Sequence, residues 1–563
     1  MQELATFCDK LCIKKVPYYT GGKDMRSVSD ISNEFKKLHN NKNIFSKFRS
    51  NYLKNDHPLN WILFLIIIYG LYLKFQSLLS IPLSSDSIFA GLSCREIFEH
   101  GNYFLKGYYL PFSDPLIFSE LPFHALPQLL TRYDPKALLL SSYSIYLAVI
   151  CIYSVLIYNM TKKITNSLIF ASVLANIPNN ADSFITIPTI HMATILFIGI
   201  LLLIYRQAIN GKLSAIFYLL VLALVSFSDS LLILWYFIPF FLANALLNKP
   251  FELKKMNFLF ISGITVLLAY LVKKFIKTFV VTPIHLITSK EQLFDNVVLF
   301  FKGICLLYNN ELYEFSNTYK LNIYTIIAII ITIGIMYFVF SNISKRFSTN
   351  SIWLLFVFLS ITFISIIYVF TSISIDINTT RYLTFPLILS IGILALTYNQ
   401  NMKFRRIYIF LFLSLIIMNS VSNAEILKGE HNNPNREQYE LIDYLKGSNL
   451  TFGYGNYWDS NIITYLSKEK IIIRPIKFHF RHNPYTIERN ESLSSRDAMI
   501  RPYMWLSCER WFTELPKTNG NFFIIQSQFQ KEENENFVHK NPPKKILEFR
   551  NYKIYVYDIP KMK

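Results

Sequence analysis

Charged residues are scarce in this sequence. Only 17% of its 563 residues are Asp, Glu, Lys or Arg, whereas a soluble globular protein carries about 25%. Uninterrupted apolar runs of about 20 residues take their place, and this length crosses a hydrocarbon core about 30 Å thick. A chain built only of soluble domains is therefore excluded, although the length alone would allow three or four of about 150 residues each. The composition predicts a polytopic membrane protein.

Cysteine is also sparse in this sequence, and an N-terminal targeting segment is not expected. The six cysteines form no CxxC pair and no zinc-like spacing, which argues against a structural zinc site. Residues 1–59 are polar and mixed in charge, so no cleavable signal peptide is expected there. We therefore expect the first apolar segment to act as its own insertion signal.

Acidic residues are outnumbered by basic ones. The 56 Lys and Arg against 37 Asp and Glu give a formal net charge of +19. In a soluble protein this excess would point to nucleic acid, but the cytoplasmic loops of membrane proteins also collect Lys and Arg. We therefore expect membrane lipids, and no nucleic acid, around this chain.

The apolar segments predict about eleven membrane helices. They are Asn60–Leu79, Ala137–Tyr158, Ser167–Ile177, Ile187–Tyr205, Ser214–Phe227, Leu231–Leu247, Met256–Lys273, Leu321–Phe340, Ser351–Thr371, Tyr382–Leu396 and Ile407–Val421. A further apolar segment, Leu293–Tyr308, is short and is predicted to be re-entrant or interfacial.

The loops between these segments differ in charge. Small loops at 179–186 and 227–230 contain neither Lys nor Arg. The loops on the other side are rich in both, with Lys162, Lys163, Arg206, Lys212, Lys249, Lys254, Lys255, Lys345, Arg346, Lys403, Arg405 and Arg406. The positive-inside rule then places the N-terminus in the cytoplasm and the C-terminus outside it.

Three regions follow from this topology. Residues 1–59 are predicted to be a cytoplasmic tail, and residues 60–422 a membrane domain that includes a first outer loop at 81–136, called the first loop below. Residues 423–563 are predicted to be a small extracytoplasmic α/β domain, because helix and strand patterns alternate in it. These patterns lie at Arg436–Lys446, Leu450–Tyr454, Trp458–Ser467, Lys470–Ile476, Phe522–Gln526 and Tyr552–Asp558.

Asp86 is the first candidate for chemistry. It follows the first apolar segment by a few residues, so it is expected at the outer face of the membrane. The residues after it have one apolar face and one charged face with Arg95, Glu96 and Glu99, which predicts an amphipathic helix lying along the interface. Asp86 could cap this helix, or it could deprotonate an acceptor hydroxyl or hold a metal ion.

Other acidic residues and a histidine lie in or beside the small outer loops. Asp182 and Asp229 stand next to apolar helices, where a carboxylate is costly unless it is paired or hydrated. Helix capping is the alternative, above all for Asp229. His191 opens the next helix and would face the same outer cavity, although a lone histidine is more often structural.

Cations on the outer side run against the positive-inside rule. Lys273, Lys274 and Lys277 end the seventh predicted helix, and Arg381 opens the tenth. Snorkelling to lipid headgroups would explain them. A clamp for an anionic lipid phosphate is the other interpretation, because the planar fork of an arginine engages two phosphate oxygens.

These features together form a known pattern: an Asp after the first membrane helix, a helix parallel to the membrane, acidic residues in outer loops and an Arg before a late helix. It resembles the GT-C superfamily of integral-membrane glycosyltransferases, in particular the branch of protein-mannosyltransferases and lipid A aminoarabinose transferases. Residues Ser84–Pro122 are also similar to poorly described bacterial membrane proteins. The motifs GYGNYWDSNIITYLSKEKIIIRPI and MWLSCERWF look like the tail of the same group.

The resemblance spans most of the chain and implies a function. A sugar on a polyprenyl-phosphate donor would be transferred with inversion to a glycan, lipid or protein acceptor, outside the inner membrane of a bacterium. Asp86 would be the general base or would position the acceptor, and Arg381 with Lys274 would bind the donor phosphate. Asp182 lies where oligosaccharyltransferase relatives keep acidic metal ligands. Because Ser87 replaces the second acidic residue of the best-known branches, a divalent metal cofactor stays open.

A transporter or flippase for a lipid-linked sugar is the alternative from a different class. Such a protein is expected to have ionisable residues inside its helices and broken, repeated segments. Here the charge gathers at one face, which favours an enzyme. A glycan polymerase or ligase and an envelope scaffold also stay open.

Overall fold

The computed structural model describes most of the chain in separate stretches. They are residues 58–110, 115–178, 187–188, 191–247, 253–276, 279–281, 285–307, 351–397, 413–414, 416–417, 419–421, 423–424, 434–478, 500–514, 520–527, 538 and 541–558. The chain divides into two compact units, Met1–Trp61 and Ile62–Lys563. Only residues 58–61 of the first unit are described, and the architecture below belongs to the second.

Helices make up most of the described residues. Those before the C-terminal part are α1 Pro58–Ser80, α2 Phe89–His100, α3 Leu121–Leu130, α4 Pro135–Thr161, α5 Ile164–Ala175, α6 Met192–Asn210, α7 Lys212–Ser228, α8 Ile238–Leu247, α9 Leu253–Ile276, α10 Lys290–Leu307, α11 Ser351–Phe370 and α12 Thr384–Thr397. A π-helical segment, Ile233–Phe237, precedes α8, and a 3₁₀ helix, Ile377–Leu383, precedes α12.

Apolar helices of membrane-spanning length make the chain an integral membrane protein. Six in the described part are long and apolar enough to cross a membrane: Pro58–Ser80, Pro135–Thr161, Met192–Asn210, Lys254–Phe275, Ile352–Phe370 and Ile377–Leu396. Ile164–Ala175, Lys212–Ser228 and Ile233–Leu247 are shorter apolar helices. All nine coincide with predicted segments.

Two of the predicted membrane helices have no counterpart among these nine helices. Leu321–Phe340 and much of Ile407–Val421 lie outside the described residues, so the number of eleven stays a prediction. The segment predicted as re-entrant or interfacial is α10, which packs against α11 and the 3₁₀ helix and is not among the six.

The C-terminal α/β region, residues 434–558, contains three helices and a six-stranded sheet. The helices are α13 Arg436–Gly447, α14 Tyr457–Leu466 and α15 Arg510–Thr513. The strands are β3 Phe452–Gly455, β4 Ile472–Phe478, β5 Ile500–Pro502, β7 Asn521–Ser527, β8 Lys545–Phe549 and β9 Tyr552–Asp558. Their order in the sheet is β5-β4-β3-β7-β9-β8. Strand β3 pairs in parallel with β4 and β7, and the other pairs are antiparallel.

The predicted elements of this region are confirmed, and two strands of the sheet, the edge strands β5 and β8, were missed. Both predicted helices agree with α13 and α14 to within one residue at each end, and the four predicted strands match β3, β4, β7 and β9. Strand β8 escaped because it is an edge strand with mostly exposed side chains, so it lacks the clear alternation that marks a half-buried strand.

The first loop and the C-terminal α/β region share one hydrophobic core. Helix α2 lies against α14 so closely that a Cβ at Gly91 would be 2.4 Å from the ring of Tyr465. A small sheet joins the same parts: β1 (Tyr108–Leu110) pairs with β6 (Ser507–Cys508) and with β2 (Phe279–Val281). The first loop therefore takes its shape from residues that follow it by several hundred positions.

Two of the three charged residues of α2, Arg95 and Glu96, are buried in this interface. Glu96 is 3% exposed, and its Oε1 accepts hydrogen bonds from Arg510 Nη2 at 2.5 Å and from Trp511 Nε1 at 2.7 Å. Arg95 is also buried, with Nη1 3.5 Å from Glu469 Oε1. Arg95 and Glu96 are therefore paired inside the protein, and the position of this helix along the membrane interface stays a prediction. A sequence pattern cannot show that charges are paired inside the protein, where burial becomes tolerable.

Replacing Glu96 by Ala should lower the free energy of unfolding by about 2–4 kcal/mol. The reason is that the Arg510 guanidinium and the Trp511 N–H lose a buried acceptor. Glu99 on the same helix provides a matched control, because its side chain is 43% exposed and Glu99→Ala should cost far less. Thermal unfolding of both variants in the same lipid measures the difference. Equal shifts would contradict the buried ion pair.

Candidate active site

Asp86 lies in a turn that its serine neighbours close. The Ser84 N–H donates to Ser87 Oγ at 2.7 Å, and the Ser87 hydroxyl donates to the Ser84 carbonyl at 2.8 Å. Such serine turns fix the backbone without a helix. The N-cap position of α2 is Ile88, and no side chain caps the helix there. Helix capping, one of the two interpretations of Asp86, is therefore wrong.

The Asp86 carboxylate is held instead by the C-terminal α/β region. The Tyr457 hydroxyl donates to Asp86 Oδ1 at 2.6 Å. Beside it, Ser85 Oγ donates to the main-chain carbonyls of Tyr457 at 2.7 Å and Trp458 at 2.8 Å. Tyr457 opens α14, where Asn456 Oδ1 accepts from the Asp459 N–H at 3.0 Å and caps the helix. Two adjacent residues of the first loop are thus fixed to one helix end.

The protonation state of Tyr457 follows from this position. Burial raises the pKa of Tyr457 well above its ordinary value, and the negative charge of Asp86 raises it further. Because a tyrosinate beside a carboxylate would be strongly disfavoured, Tyr457 stays a hydrogen-bond donor at neutral pH. It orients one oxygen of Asp86.

Arg381 faces the other oxygen of this carboxylate. Its Nη1 is 3.9 Å from Asp86 Oδ2, and the two side chains are 21% and 33% exposed, respectively. That separation is too long for a hydrogen bond, so the guanidinium can still donate to another anion. Arg381 lies in the 3₁₀ helix, within the span Ile377–Leu396, and its guanidinium stacks over the ring of Tyr382 at 5.3 Å.

Tyr503 is a residue of this site that the sequence did not single out. Its ring lies 5.8 Å from that of Tyr457. Burial, followed by the charge of Asp86, raises the pKa of Tyr503 to about 12. The Tyr503 N–H donates to the Pro475 carbonyl at 2.9 Å, at the end of the β4–β5 pairing. Strand pairing of this kind leaves no signal in residue spacing, which explains why the residue was missed.

Asp229 lies in a second, fully buried cluster at the end of α7. Its Oδ1 accepts from the Leu231 N–H at 3.0 Å, and its Oδ2 is 2.8 Å from His191 Nδ1. The Thr194 hydroxyl also donates to Oδ2. Capping of the next helical segment, one of the two alternatives for Asp229, is therefore confirmed. The same carboxylate orients the histidine.

His191 is buried at the start of α6 among the residues that the structure describes. It is 7% exposed and has a left-handed backbone with φ of 67°, a conformation uncommon for residues other than glycine. Its ring packs between those of Trp235 and Tyr382, with centroid distances of 6.2 and 5.8 Å. Because Tyr382 is next to Arg381, the Asp229–His191 cluster supports the backbone that carries the guanidinium.

Of the two cations at the end of α9, Lys273 points into the protein. Lys273 is 7% exposed, and its Nζ donates to Ser230 Oγ at 3.0 Å, next to Asp229. Lys274 is exposed, and its part in binding the donor phosphate stays a prediction. Consecutive helix residues are about 100° apart, and the buried stripe through Ser262 and Ala269 continues to Lys273. Small residues on one helix face are a packing signal that could have identified the lysine that points inwards.

Asp182 and Lys277 lie outside the described residues. Among the described ones, one group of three metal-binding side chains has its ligand atoms within 4.8 Å of one another: Glu99, His100 and Glu469. This group is distinct from Asp86, and Arg95 lies within 3.5 Å of both of its carboxylates. In the part of the chain that the structure describes, Asp86 has a cation and tyrosines around it, which is not the ligand set of a divalent metal.

Comparison with solved structures gives a structural likeness, whereas two other comparisons find nothing. No protein-family model and no curated protein matches the chain. The chain is similar to the archaeal oligosaccharyltransferase AglB from Archaeoglobus fulgidus, solved with an inhibitory peptide and a dolichol-phosphate. The TM-score is 0.43 at 10% sequence identity, over 73% of this chain and 64% of that one, which is less than two thirds of the length of AglB.

The hydrogen bond between Asp86 and Tyr457 should appear as a coupling energy. In a double-mutant cycle of Asp86→Ala and Tyr457→Phe, the effects on the free energy of unfolding should fail to add by about 1–2 kcal/mol, because alanine removes the acceptor. Asp443→Ala serves as the control, since the Asp443 side chain is 78% exposed on α13 and should be additive with Tyr457→Phe. Additivity in both cycles would exclude a hydrogen bond of any strength.

Proposed function

We propose that the chain is a membrane glycosyltransferase. It transfers a sugar from a polyprenyl-phosphate donor to a glycan, lipid or protein acceptor of the cell envelope, at the outer face of a bacterial inner membrane. One observation carries the proposal: a partly exposed carboxylate, Asp86, is oriented by Tyr457 and faces the Arg381 guanidinium at one end of a membrane span. A base and a phosphate-binding cation are the two groups that this reaction requires.

Asp86 acts as the general base. The Tyr457 hydroxyl orients its carboxylate, which accepts the proton of an acceptor hydroxyl. The hydroxyl oxygen then attacks the anomeric carbon while the bond from that carbon to the phosphate oxygen breaks. Its electron pair leaves with the phosphate, and attack from the opposite side inverts the configuration.

Arg381 stabilises the leaving phosphate. Negative charge develops on the phosphate oxygens as the bond breaks, and a fixed guanidinium in a site of low dielectric constant lowers the energy of that state. Arg381 sits at one end of an apolar helix, where the phosphate of a membrane-embedded polyprenyl chain would lie. We assign the second cation to Lys273 in place of Lys274, because Lys273 points towards the cluster beneath Tyr382.

The acceptor approaches from the side of the C-terminal α/β region. Tyr457 and Tyr503 line this side of Asp86, and Trp458 follows with its side chain 55% exposed. The apolar face of an aromatic ring, with a polar group beside it, suits stacking against the ring of a sugar. A glycan is therefore the acceptor class that we favour among the three.

A flippase for the same lipid-linked sugar is the second candidate, and one observation favours it. Lys74 is fully buried in α1, and its Nζ donates to Asn423 Oδ1 at 3.1 Å. An ionisable residue inside a membrane helix is a mark of transport pathways. Lys74 has its own buried partner, however, and lies near the helix end, so we rank transport second.

Purified protein in lipid vesicles should release free polyprenyl phosphate from a mixed pool of polyprenyl-phosphate sugars when an envelope extract supplies acceptors. Asp86→Asn should reduce the rate about 100-fold or more, because the general base is lost. Asp443→Asn, the exposed carboxylate on α13, should leave the rate unchanged.

Two outcomes would overturn the assignment. Equal release by the wild type and Asp86→Asn, with both variants folded, would remove Asp86 from catalysis. Movement of the intact sugar lipid across the vesicle membrane, with no release of polyprenyl phosphate, would establish the flippase instead.

The two lysines at the end of α9 should differ in their effect on the donor. Lys273→Met should raise the donor KM about tenfold, which corresponds to about 1.4 kcal/mol of lost binding, whereas Lys274→Met should change it little. Arg381→Lys should lower kcat, since an ammonium cannot reproduce the two-pronged contact with phosphate. Steady-state kinetics with a defined polyprenyl-phosphate sugar measure both effects. A larger change for Lys274→Met would reverse the assignment.

A further inference from the structure

Helix α3 has an inverted distribution of polar and apolar side chains. The buried stripe carries Leu121, His124 and Gln128. The exposed stripe carries leucines: Leu126 is 62% exposed, Leu129 41% and Leu130 76%. Both stripes follow the 3.6-residue period of a helix, so the inversion concerns the whole length of α3. In water, the apolar stripe of a helix faces the core and its polar stripe faces solvent.

The buried polar side chains of α3 have partners within the protein. His124 Nδ1 is 2.6 Å from Ser141 Oγ on α4. Gln128 Oε1 accepts from the Tyr465 hydroxyl of α14 at 2.7 Å, and Gln128 Nε2 donates to the Asp134 carbonyl at 3.1 Å. These hydrogen bonds fix the rotation of α3 about its axis. The leucine stripe therefore faces outwards because the opposite stripe is bonded inwards.

The surroundings of the stripe point to lipid. Helix α3 packs against α4, a candidate membrane span that begins five residues after α3 ends. On α4, Leu140 is 43% exposed and continues the apolar surface along the span. Just beyond α3, Arg132 and Lys136 are exposed, at the place where cations meet anionic headgroups.

We propose that the leucine stripe of α3 (Leu126, Leu129 and Leu130) lies in the hydrocarbon of the leaflet from which α4 enters the membrane. Arg132 and Lys136 then lie at the level of the headgroups. This makes α3 an interfacial helix. The proposal does not depend on the reaction that the protein catalyses.

The lipid contact has a structural consequence for α14. Gln128 joins α3 to Tyr465 near the end of α14, and the first residue of α14 is Tyr457, which holds Asp86. One rigid helix thus connects the lipid-facing element with the carboxylate. The position of Asp86 relative to the bilayer is set by α3 as well as by the end of α1.

Depth-dependent fluorescence quenching tests the lipid contact. Leu126→Cys and Leu130→Cys are labelled with a bimane in a background where Cys8, Cys12, Cys151 and Cys305 are replaced by alanine. Cys94 and Cys508 are buried and stay. The labelled proteins are placed in nanodiscs whose lipids carry a nitroxide on the acyl chain. Val155→Cys on α4, at a 45% exposed apolar position, gives the lipid reference, and Lys553→Cys, exposed on β9, gives the aqueous reference.

Quenching at both α3 positions should be close to that at position 155 and several times that at position 553. Quenching no greater than at position 553 would overturn the proposal. If the low quenching is accompanied by cross-linking of two copies through Leu130→Cys, the stripe is an interface between copies, and the lipid assignment fails.

Hydrogen exchange tests the connection to α14. Replacing Leu126 and Leu130 by Ser should raise the exchange rate of α3 and α14 amides in nanodiscs and leave β8 and β9 unchanged. Tyr465→Phe should raise the exchange of α14 without altering bimane quenching on α3. Unchanged exchange in α14 for both variants would contradict the connection even if the lipid contact holds.

Discussion

The buried ion pair between Glu96 and Arg510 is the interaction on which the arrangement of the first loop depends. A charged helix cannot enter an apolar core unless its charges are neutralised there. The Glu96 carboxylate accepts hydrogen bonds from the Arg510 guanidinium and from the Trp511 N–H. Because its charge is neutralised in this way, α2 can lie against α14 and share its hydrophobic core. The turn that carries Asp86 precedes this helix directly, so the position of the carboxylate follows from the same contact.

The candidate site joins three distant parts of the chain. Asp86 belongs to the first loop, Tyr457 to the C-terminal α/β region and Arg381 to the start of a late membrane helix. Each part has its own local anchor: a serine turn, an asparagine cap and the histidine cluster beneath Tyr382. The three side chains are therefore held before any substrate arrives, as catalysis by preorganised charges requires.

Helices α2 and α3 of the first loop have surroundings that differ from those indicated by their sequence patterns. Arg95 and Glu96 of α2 are buried in the protein, whereas α3 exposes leucines and buries His124 and Gln128. Amphipathicity reports only that a helix has two unlike faces. Whether the polar face meets water, lipid headgroups or a set of paired charges depends on the partners that the rest of the chain supplies. The first loop therefore contains one helix with buried, paired charges and one helix with exposed leucines.

Sequence alone determined the nine apolar helices that the structure describes, because apolar length is a local property set by the thickness of a bilayer. It also determined two helices and four of the six sheet strands of the C-terminal α/β region, and it singled out Asp86 and Arg381. The tertiary structure decided the rest: that Asp86 bonds Tyr457 and caps no helix, that Tyr503 joins the site, and that Lys273 points inwards while Lys274 does not. These are facts of strand pairing, helix rotation and burial, which arise from contacts between residues that lie 43 to 371 positions apart in the chain.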